Sequence, residues 1–186
     1  MEADWEVELG GGAPAIEAQW PGFVDLRLHP ERAWQFSEAA HLPALAEALA
    51  NLNALTSPFW TSKCDLWQVV DLAEFDPDEL DAPAGCSAHA IACYIDLLPK
   101  GGRQWTLPAE AASACRHLCG LLRAVPLCCC RVDLVVRRAL IAPGLEDLGI
   151  TAYLTACGPS RAEAAQTLEV ALAAFARVLR GQSTVE

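Results

Sequence analysis

No run of about 18 apolar residues occurs in this chain of 186, so no membrane-spanning helix is expected. Base is scarce. Thirteen Lys and Arg stand against 24 Asp and Glu, a formal charge of −11. That balance excludes a binder that tracks nucleic-acid phosphates, an affinity built on Lys and Arg. The start, Met1-Glu2-Ala3-Asp4-Trp5-Glu6, carries acid where a secretory leader carries base before an apolar core, so a cytoplasmic protein is expected. Also missing are paired Cys-x-x-Cys knuckles, histidines at ligand spacing, and a glycine loop followed by Lys and Ser or Thr. Gly10-Gly11-Gly12 therefore reads as a turn. What is present is an ordinary globular composition, 53% apolar with nine Cys and six Trp. It suits one α+β domain over 1–181 with a short tail at 182–186, burying roughly 70% of the unfolded chain's surface.

Periodicity supplies the elements. Trp5 to Leu9, Ala15 to Trp20 and Phe23 to Leu28 alternate as strands, interrupted by the glycines and by Pro21-Gly22. Leu42, Leu45, Ala46, Leu49 and Leu52 predict a helix over about 38–53, whose regular part starts at Pro43. Phe59 to Val70 and His89 to Leu98 predict a hairpin. Its loop holds Asp71, Glu74, Asp76, Asp78, Glu79 and Asp81, a solvated acidic stretch without the glycine and bidentate Glu of a calcium loop. Beyond Gly101-Gly102 a second helix runs from Pro108 to about Ala124. Cys129 to Ile141 and Gly149 to Cys157 form a second hairpin. The last helix opens with Ser160 and Glu163 as a capping box, carries Ala164, Leu168, Ala171, Leu172, Phe175 and Leu179 as its stripe, and ends at Gly181.

Strands, helix, hairpin, helix, hairpin, helix is the order of an α+β protein. We expect a single antiparallel sheet with helices packed mainly on one face, since successive parallel strands would need a helix between each pair. Ala92-Cys93-Tyr94-Ile95-Asp96 is echoed by Thr151-Ala152-Tyr153-Leu154-Thr155, each followed by an Ala-Glu-Ala-Ala helix start, a pattern open to both internal ββα duplication and coincidence. The element order of residues 38–180 is similar to that of the small acidic type III secretion chaperones. That resemblance is of order alone, with no shared motif, and implies a dimeric, non-enzymatic protein. The strands before residue 30 and the long acidic loop depart from it.

Strand alternation sorts side chains onto two faces. His89, Ile91, Cys93, Ile95 and Leu97 should face the helices with Val132, Leu134 and Val136, and Trp60, Ser62, Cys64 and Leu66 should share that side. Outward would lie Lys63, Asp65, Trp67, Tyr94, Asp96, Arg131, Asp133, Arg137 and Tyr153, with Arg137 opposite Tyr153. Aromatic rings mixed with paired charges compose an interaction surface. The plainer expectation is that the N-terminal strands or a partner subunit cover the rings.

Two other constellations could carry chemistry. Cys64, beside Lys63, could be a nucleophile with His89 as base, although the hairpin register sets His89 on the order of 13 Å along the strand. Cys115 and Cys119 stand one helical turn apart, with Cys128 and Cys130 just beyond, a possible metal set that reads more simply as packed small hydrophobes. The sequence therefore points to a non-enzymatic binding, adaptor or chaperone-like protein, a homodimer using the outward face to hold a protein or small molecule. No cofactor, nucleic acid or membrane is implied. The alternative is an enzyme built on Cys64.

Overall fold

Two hairpins, each followed by a helix, frame the computed structural model, which describes residues 1–18, 20–70, 76–100 and 105–181. In chain order the elements are β1 Glu2–Glu8, β2 Ile16–Glu17, α1 Ser37–His41, α2 Pro43–Asn53, β3 Phe59–Val69, β4 His89–Pro99, α3 Pro108–Arg123, β5 Cys130–Ala142, β6 Leu145–Gly158 and α4 Arg161–Leu179. Short 3-10 turns lie at Pro30–Gln35 and Pro77–Leu80. The strands form one sheet in the order β1-β5-β6-β4-β3, with β2 also paired to β5. Gly101-Gly102, Asp71, Glu74 and the expected tail lie outside the described residues.

The β3–β4, β4–β6 and β5–β6 pairs are antiparallel, but β1 and β2 run parallel to β5, so the sheet is mixed and the purely antiparallel expectation is corrected. The requirement for a helical crossover holds between strands adjacent in sequence. Here α1, α2 and α3 all intervene between β1 and β5, so the chain has ample length to return in the same direction. Ala3 buries in the helix-side core, and Trp5 packs beside it under Arg116 of α3, whose guanidinium lies 5.2 Å from the ring.

The other early strands shrink. Only Ile16–Glu17 pairs, and Phe23 to Leu28 folds into turns because the Asp25 carboxylate accepts from the Arg27 backbone at 3.0 Å and from its guanidinium at 2.6 and 2.8 Å. The helix expected over 38–53 divides at Leu42, which leaves the helical region (φ −143°, ψ 88°) because Pro43 follows it. At the other end Ser160 Oγ accepts from the Glu163 N–H at 3.2 Å and donates to its carboxylate at 2.6 Å, capping α4 as its sequence implies.

Among the described residues the four α-helices cover one face of the sheet, where Cys93, Ile95, Leu134, Val136 and Leu154 meet Leu45, Leu122, Leu168 and Phe175. Among the described residues no helix is long and apolar enough to cross a membrane. Two small clusters lie on the opposite face. At one end Ile16 and Ala18 cover Trp60, Leu98 and Ala139; at the other Leu80 of the acidic segment covers Ala90 and Cys157. Gly149 permits the first of these. A Cβ there would stand 2.8 Å from Ile16 Cδ1 and 2.9 Å from the Leu97 carbonyl. Gly149→Ala is expected to destabilise the protein by about 1–3 kcal/mol, read as a lower urea midpoint with unchanged slope.

Candidate functional site

The face without helices is a grid of side chains set by strand register. One row crosses the whole sheet: Asp4, Asp133, Tyr153, Tyr94, Asp65. Beside it run Glu2, Arg131, Thr155, Ala92, Trp67 on one side and Glu6, Val135, Thr151, Asp96 on the other. Glu8 and Arg137 continue the grid toward Gly149.

Two sequence expectations about this face change. A bulge between Thr61 and Cys64 inserts an extra residue, so parity reverses along β3. Trp60 therefore turns outward and Thr61 inward, where Asn53 holds it through both amide atoms, while Cys64 and Leu66 stay inward and Asp65 and Trp67 stay outward. In the second hairpin, Arg137 stands opposite Gly149 and Tyr153 opposite Asp133, four residues from the expected register, because Pro143-Gly144 forms a two-residue turn with Gly144 at φ +76°. A slip of four keeps every side chain on its face, since the strand period is two. Arg137 still reaches Tyr153: Nη1 donates to the phenol oxygen at 3.1 Å and the guanidinium carbon lies 5.7 Å from the ring centre.

The rings form a ladder. Trp67 and Tyr94 centroids are 6.4 Å apart and Tyr94 and Tyr153 6.0 Å, at 51° in both cases, a spacing at which aromatic pairs attract. Tyr94 and Tyr153 are half-buried and Trp67 is 37% exposed. Among the described residues, Arg137 is set over the Tyr153 ring. The N-terminal segment covers the Trp60 end, and β1 extends the sheet at its edge instead of roofing it.

Charges brace the ladder. Arg137 donates to Glu8 at 2.7 and 3.1 Å. Arg131 donates to Asp133 at 2.8 and 3.0 Å, and pairs with Glu79 at 3.1 Å and with Asp4 at 3.9 Å. Glu79 thereby ties the acidic turn to the sheet, and Asp76 caps that turn by accepting from the Asp78 N–H at 2.9 Å. Lys63 reaches Glu17 at 3.4 Å and lies 5.8 Å from the Trp20 ring. Burial raises the Asp133 carboxyl against the lowering pull of Arg131, and raises the Tyr94 phenol to about 12, reinforced by Asp96 and Asp65.

Asp96 is the least ordinary group here. It is 4% exposed, accepts from Thr151 Oγ1 at 2.7 Å, and is pushed by burial from 3.8 up to about 6, with Thr151, Lys63 and Arg137 pulling the other way. Glu8, Glu17, Glu79 and Thr151 are partners that the sequence reading missed. The alternation Glu2, Asp4, Glu6, Glu8 was a legible signal for the acidic edge; the Thr151 partnership became visible only with the β4–β6 register.

The remaining candidates are not brought together. Cys64 faces inward opposite Ile95, with its thiol raised to about 12 by burial and by Glu38, Asp65 and Asp96. His89 is six residues further along β4, about 20 Å at 3.3 Å per residue. Cys115, Cys119 and Cys130 are buried, Cys128 is exposed, and all nine cysteines are unbridged. Among the described residues no group of three or more His, Cys, Asp or Glu is arranged to hold a metal. Comparison with known protein families, with curated proteins and with solved structures finds no match.

Two measurements follow. Asp96 binds its proton more tightly folded than unfolded, so its contribution to stability is full below about pH 4 and is lost as pH rises to about 6. The wild type should lose roughly 2 kcal/mol relative to Asp96→Asn across that window, read from urea unfolding of both proteins at successive pH values. In a native thiol titration, exposed Cys128 should react first and Cys64 only on unfolding; prompt labelling of Cys64, identified by mass spectrometry, would contradict its placement.

Proposed function

We propose that this is a cytoplasmic, non-enzymatic binding protein, a homodimer, that holds a basic, extended polypeptide segment of a protein ligand on the open sheet face. The observation that carries the reading is the row Asp133, Tyr153, Tyr94, Asp65, in which two neighbouring phenols are flanked by carboxylates. Lys and Arg side chains are attracted both to the faces of such rings and to the acids beside them. Over the grid, Glu2, Asp4, Glu6, Glu8, Asp65, Asp96 and Asp133 outnumber Lys63, Arg131 and Arg137. A chain lying across the strands would meet the two phenols in the middle of the row and a carboxylate on either side of them.

The covered ends give the face limits. Residues 16–18 wall one side and the Pro77–Leu80 turn the other, with small Ala92 and Thr155 leaving a low floor beside Trp67. Nine unbridged cysteines support a reducing compartment. The separation of Cys64 from His89 and the raised thiol argue for binding over cysteine chemistry.

The probe is a synthetic peptide of alternating Lys and Val, titrated calorimetrically against the full chain, with an alternating Glu and Val peptide as control. The Lys peptide should bind and weaken with added salt. Tyr94→Ala and Tyr153→Ala should each lower its affinity about 2- to 30-fold, the range of a cation over a ring. Preference for the Glu peptide, or indifference to both tyrosine variants, overturns the proposal.

A further inference from the structure

The two edges of the sheet are built differently. On β1, Glu2, Asp4, Glu6 and Glu8 all point to the open face. Antiparallel pairing of that edge with a second copy would set acid against acid on the same side, which repels. Such charge is how an edge strand is kept from pairing. The β3 edge has no such protection beyond its first half. Up to Lys63 it is closed by the bulge, by the Ser62 hydroxyl donating to the Glu17 carbonyl, and by the Lys63–Glu17 pair. From Cys64 to Val69 the only charged residue is Asp65, while Leu66 and Val69 are half-buried and Trp67 is exposed. Among the described residues no strand pairs with this outer edge.

We infer that two copies of this chain join through the β3 edge, antiparallel about Leu66, so that one sheet runs through both. This rests on the homodimer in the function proposed above and names its interface. Parity and charge narrow the register. In a two-fold dimer whose open faces lie on one side, directly opposed residues must share a face, so any residue of the strand can sit on the axis; Asp65 there would meet its own charge, whereas Leu66 there meets its own copy as an apolar pair, with Asp65 opposite Trp67 and Cys64 opposite Gln68. No like charges then oppose each other between Cys64 and Gln68. The hydrophobic pair falls on the helix side, next to the hollow lined by Ser37, Glu38, His41 and Leu66. On the open side, Asp65 and Trp67 alternate across the junction, so the aromatic and acidic surface continues from one protomer into the next.

The test uses the full chain with Cys128→Ser to remove the exposed thiol. Adding Leu66→Cys should give a covalent dimer under mild oxidation by oxidised glutathione, since the new thiol meets its own copy on the axis, and Leu66→Ser in the same background should give none. Leu66→Lys, which sets two charges on the axis, should weaken the dimer about a hundredfold or more, by sedimentation equilibrium, with an unchanged circular dichroism spectrum. A wild type that sediments as a monomer overturns both the dimer and this interface. A wild-type dimer that Leu66→Lys leaves intact and Leu66→Cys fails to cross-link overturns the β3 interface alone.

Discussion

The antiparallel register between β4 and β6 is the constraint on which the other features hang. These central strands hold the two hairpins back to back, and each leads into a helix that packs on the same side, α3 from β4 and α4 from β6. Pairing Tyr94 with Tyr153 puts Ile95 and Leu154 beneath α4 and Asp96 beside Thr151. A shift of one residue would drive the phenols into the core and the aliphatic residues into water. Burial of the aliphatic set, at roughly 25 cal/mol per Å² of apolar surface removed from water, is what makes that shift prohibitive. The phenols are therefore outside because their neighbours must be inside.

That asymmetry also explains how an acidic chain tolerates its charge. Carboxylates line the β1 edge and the turn at Pro77–Leu80, positions with access to water, where Arg137 answers Glu8 and Arg131 answers Glu79, while Arg131 also answers Asp133 further into the sheet and Lys63 answers Glu17. Asp96 departs from the pattern. It sits where the Ile16 cluster and the tyrosine ladder meet, with a hydroxyl as its direct partner, and so keeps its proton to about pH 6.

Cysteine serves this molecule as a small hydrophobe. Cys93, Cys115, Cys119 and Cys130 fill the core between sheet and helices, and the burial that packs them also raises their thiols, which disfavours the thiolate that nucleophilic attack needs. Their number in the composition suggests a reagent. Their surroundings make them structural.

From Phe59 onward the strand and helix positions, the face on which each residue of β4 and β5 lies, and the capped final helix were determined by local sequence, because period-two and period-3.6 patterns and capping chemistry act over a few residues. Trp67, Tyr94, Asp96, Arg131, Asp133, Arg137 and Tyr153 could thus be gathered onto one face before any pairing was known. Tertiary structure alone decided the rest. The direction of β1 depends on a contact with β5 and α3 more than a hundred residues away, the bulge at Ser62-Lys63 on how β3 meets both β4 and the Glu17 segment, and the Tyr153 partner on the tightness of the Pro143-Gly144 turn. Each turns on which distant backbone supplies the hydrogen-bonding partner, and a local pattern of apolar and polar residues carries no record of that choice.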